Sequence, residues 1–158
     1  MDPNKKTLIV FSGDLDKALA AFIIANGAAA MGNEVTMFFT FWGLNIIRKP
    51  GKVKAKHSLL QAAFGRMMPR GADRLGLSKM NFSGLGPVMM KKVMRNANIS
   101  TLGELIAMAQ EQEIRMVACT TSMEVLGLSK EELLDGVEYA GVATYFDYAD
   151  DANVNLLI

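Results

Sequence analysis

The sequence predicts an α/β protein: a three-layer α/β/α domain built on about five mostly parallel strands. Three observations carry that reading. Thr7–Phe11 and Glu34–Phe41 are apolar runs rich in strand formers, the pattern of strands buried on both faces. An Ala-rich helical stretch, Leu15 to Met31, separates them, and strand–helix–strand at this spacing is a βαβ unit with a right-handed crossover. Further on, the short apolar run Met116–Cys119 sits between a charged helix tail and a helix-start signal, the same grammar again.

In chain order, Ser12-Gly13-Asp14 turns the first strand into its helix, and Gly32-Asn33 stops that helix. From Trp42 the pattern loosens. Arg48 to His57 is basic, holds Pro50-Gly51 and reads as an exposed loop. A helix is expected from His57 to Met68, ended by Pro69 and Gly71, and another from Val88 to Arg95 after Pro87. Residues 43–99 are long for a connection, so they read as an insertion serving as a lid or an assembly surface within one domain spanning 1–158. The insertion holds six of the twelve methionines, Met67, Met68, Met80, Met89, Met90 and Met94; half or more of them are expected to be ordinary packing. Thr101 with Glu104 forms a capping box opening a helix to about Glu113. Thr121 with Glu124 has the same form after the Cys119 strand, and Gly127 closes that helix. Ser129-Lys130-Glu131-Glu132 caps a further turn. Val137–Val142 reads as a strand, Ala143–Ala149 as a helix and Val154–Ile158 as a last strand.

Composition narrows the class. With 51% hydrophobic and 21% charged residues, the chain reads as globular. No apolar stretch reaches the length of a membrane span, and the first residues do not lead into a secretory signal. A single cysteine forms no internal disulfide, which fits a reducing cytoplasm, and one His with one Cys rules out a structural zinc cluster within one chain. The net charge of +1 conceals a segregation: twelve Lys or Arg against one acid from Arg48 to Arg95, and ten acids against two bases from Glu111 to Ile158. That asymmetry suits an acidic partner or complementary subunit surfaces.

Cys119 is the candidate chemical centre. It stands at the end of a strand and the mouth of a helix, where unpaired N–H groups and the helix dipole favour thiolate. Thr120, Thr121 and Ser122 offer hydroxyls, and the N–H groups of Thr121 to Met123 are the expected anion stabilisers. The competing reading is a small hydrophobe packed in the core. Other strand ends should border the same crevice: Ser12, Gly13 and Asp14 after the first strand, Trp42 after the second. Asp14 suits a helix N-cap as well as proton transfer. Trp42 suits a pocket roof or a core or interface anchor equally. His57, the only histidine, acts as a proton donor only if folding brings it to Cys119. Ser12-Gly13-Asp14-Leu15-Asp16 faintly echoes an ATP-pyrophosphatase loop, but Asp14 would set a carboxylate against phosphate, and no phosphate-binding glycine motif is present. The basic segment lacks a nucleic-acid module, so only non-specific affinity would follow from it.

Four blocks in order resemble the DsrE/DsrF/DsrH-like family, in its longer DsrE branch. They are Phe11-Ser12-Gly13-Asp14-Leu15-Asp16-Lys17, Ala25 to Gly32, Phe38-Phe39-Thr40-Phe41-Trp42-Gly43-Leu44 and Ala118-Cys119-Thr120-Thr121-Ser122-Met123-Glu124. The resemblance implies a flavodoxin-like α/β/α protein, assembled as a homotrimer or hexamer. It implies sulfur relay, with a strand-end cysteine, here Cys119, holding sulfane sulfur as a persulfide. The implied partners are TusA-type carriers and rhodanese-like donors, with no cofactor and no metal. Relatives with a second cysteine differ from this chain, which puts two-thiol chemistry in doubt. The activity expected is that of a sulfur carrier or sulfurtransferase working by thiol–persulfide exchange; the alternative is a non-catalytic oligomeric binding or assembly module with an inert buried cysteine.

Overall fold

The computed structural model describes residues 4–51, 53 and 57–158. Part of the basic loop expected between Arg48 and His57 lies outside the described residues. Five strands form one all-parallel sheet: β1 (Lys5–Val10), β2 (Glu34–Phe39), β3 (Arg115–Cys119), β4 (Glu138–Ala140) and β5 (Val154–Leu157), in the order β4-β3-β2-β1-β5. The helices are α1 (Leu15–Ala30), α2 (Leu59–Met67), α3 (Leu85–Asn96), α4 (Leu102–Glu111), α5 (Thr120–Leu126) and α6 (Val142–Asp150). Short 3-10 turns occupy Phe41–Ile47, Ala72–Arg74, Phe82–Gly84 and Lys130–Glu132.

The layering follows from handedness. From β1 to β4 the chain steps steadily in one direction, so right-handed crossovers put α1, α4 and α5 on one face. The return from β4 past three strands to β5 reverses that direction and puts α6 on the other face. Period-two alternation then divides the sheet residues. Leu8, Val10, Met37, Phe39, Met116 and Ala118 join the main core with Phe22, Leu105 and Met123. Phe38, Val117 and Cys119 join a smaller cluster with Tyr145 and Ala149 of α6. Ala18, Ala21 and Ala25 are fully buried, so α1 lies close on the sheet, as the Ala-rich composition implied. Asn26 ties α1 to α4 by donating to the Leu105 carbonyl (2.9 Å) and accepting from Gln112 (2.8 Å).

Helix ends show which local signals prevail. Ser58 with Gln61 and Thr101 with Glu104 form capping boxes, so α2 begins two residues later than expected. Helix α3 begins at Leu85, which places Pro87 in its first turn. The expected Thr121 box does not form: Cys119 itself holds the N-cap position, so Thr121 lies inside the helix, exposed. Gly32 (φ 80°) and Gly127 (φ 67°) supply the left-handed stops after α1 and α5.

The segment after β2 departs most from expectation. Arg48, read as part of an exposed loop, is 1% exposed. It bridges Leu133 in an antiparallel contact, and its guanidinium pairs with Glu132 at 3.2 Å. Main-chain bonds from Lys49 N–H to the Glu132 carbonyl and from Leu134 N–H to the Ile47 carbonyl complete that clasp. Of the six methionines, only Met68 and Met94 are buried, so most of the group faces outward rather than packing. At the other end of the chain, the Ile158 carbonyl accepts from Phe11 N–H (2.8 Å) beside β1.

Candidate functional site at the carboxyl end of the sheet

Cys119 is the last residue of β3, in register with Ala140, the last residue of β4. After β3 the chain turns to α5 on one face; after β4 it turns to α6 on the other. Neighbouring strands whose connections leave for opposite faces open a crevice at their carboxyl ends, the usual ligand position in open α/β sheets. Cys119 stands at that divergence.

Its surroundings are apolar. The side chain belongs to the α6-side cluster with Phe38, Val117 and Tyr145, and Ala140 packs against that group. Tyr145 is held by a 3.2 Å hydrogen bond with Thr7 and lies 5.0 Å, centroid to centroid, from Phe38. Cys119 is 6% exposed, and no side-chain hydrogen bond caps α5 at this position. The thiol is not open to solvent: it is 6% exposed and belongs to the apolar cluster that Tyr145 and Ala149 of α6 join. Nor do the N–H groups of Thr121 to Met123 donate to its sulfur, because strand alternation turns the side chain to the α6 face while α5 packs on the other.

The remaining expected site residues divide. Ser122 is buried, with its hydroxyl 2.8 Å from that of Thr40, which ties α5 to the end of β2. Met123 packs into the main core, on the side of the sheet opposite the Cys119 side chain. Thr120 is half-buried and Thr121 exposed. Ser12 and Asp14 close on each other: Ser12 Oγ accepts from Asp14 N–H (3.1 Å) and donates to its carboxylate (3.0 Å). Asp14 occupies the N-cap of α1 but makes no capping bond, pairing instead with Lys17 at 3.1 Å. Gly13 lets the main chain at Trp42 come close, since a Cβ there would meet the Trp42 carbonyl oxygen at 2.7 Å. Trp42 is exposed and stacks on Phe64 of α2, at 6.4 Å and 25°. His57 lies 3.3 Å from the Glu132 carboxylate, on the α4 side of the molecule. Phe38, Ala140 and Tyr145, which surround the thiol, were not singled out from the sequence. Register with β3 puts Phe38 of β2 and Ala140 of β4 on the thiol's face, which the sequence alone does not set; nothing local pointed to Tyr145, which arrives from a helix whose face depends on the return crossover.

Comparison with known proteins places this geometry. The model of the DsrE/DsrF/DrsH-like family matches residues 3–157. The chain belongs to that family. Among DsrE-like relatives, the sulfur carrier protein DsrE2 of Allochromatium vinosum is 36% identical over 162 residues, covering all of both chains. The uncharacterized protein YrkE of Bacillus subtilis is 56% identical over 155 residues, covering 98% of this chain and 97% of its own. Two solved structures share the fold at 12% identity. The ychN protein of E. coli superposes with a TM-score of 0.55 over 98% of this chain and 99% of its own. Protein MTH1491 of Methanobacterium thermoautotrophicum superposes at 0.53 over 97% and 98%. The three-layer DsrE-like architecture expected from the sequence is therefore the observed one. Among the described residues, no helix of this DsrE-like chain is long and apolar enough to cross a membrane.

Proposed function

We propose that this protein is a sulfur carrier in which Cys119 holds sulfane sulfur as a persulfide and passes it to an acceptor thiol. The observation that carries the reading is position: the only thiol of the chain stands at the strand end where the connections to α5 and α6 part. Full-length similarity to a protein named a sulfur carrier supports the same class of chemistry. In the exchange, the Cys119 thiolate attacks the outer sulfur of a donor persulfide and releases the donor thiolate. An acceptor thiolate then attacks the terminal sulfur of Cys119–S–SH and regenerates the thiolate. TusA-type or rhodanese-like proteins are the partners that fit this exchange, in a cytoplasmic homotrimer or hexamer.

The apolar cover over Cys119 gives the carrier reading a physical requirement. Thiolate exchange needs access to sulfur, so α6 must open locally or a partner must displace it. Helix α6 suits such opening, because its Phe146 and Val142 are exposed and only Tyr145 and Ala149 are buried. Intact-mass measurement after polysulfide treatment tests the reading. The wild type should gain one sulfur atom per chain and Cys119→Ser none; an unmodified wild type under conditions that load a control thiol would overturn it.

The 6% exposure favours one second reading, an assembly or binding module whose cysteine is inert. Alkylation at neutral pH separates the two. A carrier reacts in native buffer, faster when α6 is loosened by Tyr145→Ala; an inert core thiol reacts only with denaturant.

A further inference from the structure

A concavity of about 1470 Å³ lies between the segment that follows β2 and α4. Cys119 takes no part in its wall. Among the described residues, five that line it are Lys or Arg, against two carboxylates, Asp73 and Glu132.

The chemistry concentrates around Glu132, which is 1% exposed. Its Oε1 lies 3.2 Å from Arg48 Nη2 and 3.5 Å from Arg70 Nη2. Its Oε2 lies 3.3 Å from His57 Nε2 and accepts from Ser129 N–H at 3.0 Å. One carboxylate thus faces two permanent cations and an imidazole, and both its oxygens are occupied. A positive excess remains around two buried groups, Arg48 and Glu132. Arg48 shows the shortfall most clearly. Apart from Glu132, it meets only neutral oxygens among the described residues, Asn45 Oδ1 at 3.3 Å and the Pro69 carbonyl at 3.4 Å. Its buried Nε has no hydrogen-bond partner among the described residues. Burial, and then the charge of Arg70, push the Arg48 pKa down against the pull of Glu132. A buried guanidinium with an unmet N–H and a like-charged neighbour is a site short of an anion.

We propose that this cavity is an oxyanion site, in which Arg48 and Arg70, with His57 beside them, hold a small tetrahedral oxyanion. Guanidinium forks match tetrahedral oxyanions two oxygens at a time, and a second negative group would balance the cations that Glu132 alone leaves in excess. The same chemistry serves a sulfur oxyanion and inorganic phosphate. The site is independent of Cys119: its wall belongs to the α4 side of the molecule, while the thiol lies on the α6 side.

Calorimetric titration of the full chain with sodium thiosulfate, sulfate or phosphate, each at ionic strength matched with NaCl, tests the proposal. Saturable binding of one anion per chain is expected, and the tightest of the three names the source. Arg70→Gln should weaken binding at least tenfold. Its melting temperature without anion should equal or exceed that of the wild type, since a like charge beside Arg48 is removed. Arg95→Gln, outside the cavity, and Cys119→Ser should bind as the wild type does. If Arg70→Gln fails to fold, Arg70→Lys replaces it; this keeps the charge, loses the fork and must still bind more weakly. No titration above the NaCl background would overturn the site. So would equal losses in Arg70→Gln and Arg95→Gln, because the effect would then be general charge.

Discussion

At Gly43 the chain runs so close to β1 that an added Cβ would lie 2.0 Å from the Val10 carbonyl oxygen. Its N–H donates to the Phe11 carbonyl at 2.9 Å, so the backbone cannot retreat without losing that bond. Gly43→Ala is expected to cost about 3 kcal/mol in chemical denaturation, within the range of severe packing clashes. Gly27 is the contrast: it lies inside α1 with open space around its Cβ position, so Gly27→Ala should stabilise by roughly 0.5–1 kcal/mol. The two glycines look alike in the sequence, and only the path of the chain after β2 tells them apart. The same holds for Cys119. Its place at a strand end was legible from Met116–Cys119 and the following helix signal. Its burial was not, because that depends on which face the last crossover covers.

At the level of elements, capping supplies a matched pair of tests. Thr101 closes a full box with Glu104, with Glu104 N–H to Thr101 Oγ1 at 3.3 Å and Thr101 N–H to Glu104 Oε2 at 2.7 Å. Thr101→Ala should therefore destabilise by about 1 kcal/mol, whereas Thr121→Ala, with no cap to lose, should stay within about 0.5 kcal/mol. The two motifs share one spelling. They part because β3 ends directly at Cys119, whose extended backbone already supplies the N-cap, so α5 starts at Thr120 and takes Thr121 into its first turn. The segment after α2 is pinned to α1 through Leu15 N–H to the Gly76 carbonyl (2.7 Å) and Ser78 N–H to Asp16 (2.9 Å). Burial pushes the Asp16 carboxyl up, but bonds from the Ser78 hydroxyl and N–H outweigh it and hold the group below its usual value of 3.8. A depressed folded-state pKa stabilises above the unfolded value, and that contribution is lost as pH falls through the folded one. Ser78→Ala should thus lower the melting temperature at pH 7, and the difference should shrink as the pH falls below the usual value of 3.8.

For the whole molecule, the charge segregation resolves into a clasp and a remainder. Arg48, Arg70 and Glu132 meet inside, and Lys49 pairs with Asp135 at 2.9 Å outside, so part of the basic segment answers part of the acidic one within a single chain. The sequence showed two opposed halves but not this internal use, because the pairing spans more than eighty residues from Arg48 to Glu132. Strand order was likewise only half legible. The first βαβ unit fixed its own handedness, but nothing before the fold was assembled set β5 beside β1. Helix α3 presents Leu85, Val88, Met89 and Val93 outward, and α2 presents Leu59, Leu60 and Met67. So much apolar surface in one region suits association. Light scattering should give a mass several times that of one chain, and Val93→Lys together with Met89→Lys should reduce it without lowering the helical signal in circular dichroism.

All five strands run the same way, and Ile158 closes the last of them against Phe11. Any residues joined after Ile158 therefore emerge at the carboxyl end of the sheet, the end that also carries Cys119, whereas an addition ahead of β1 emerges at the opposite end. An affinity handle for trapping exchange intermediates belongs at the amino terminus, where it cannot crowd the thiol's approach.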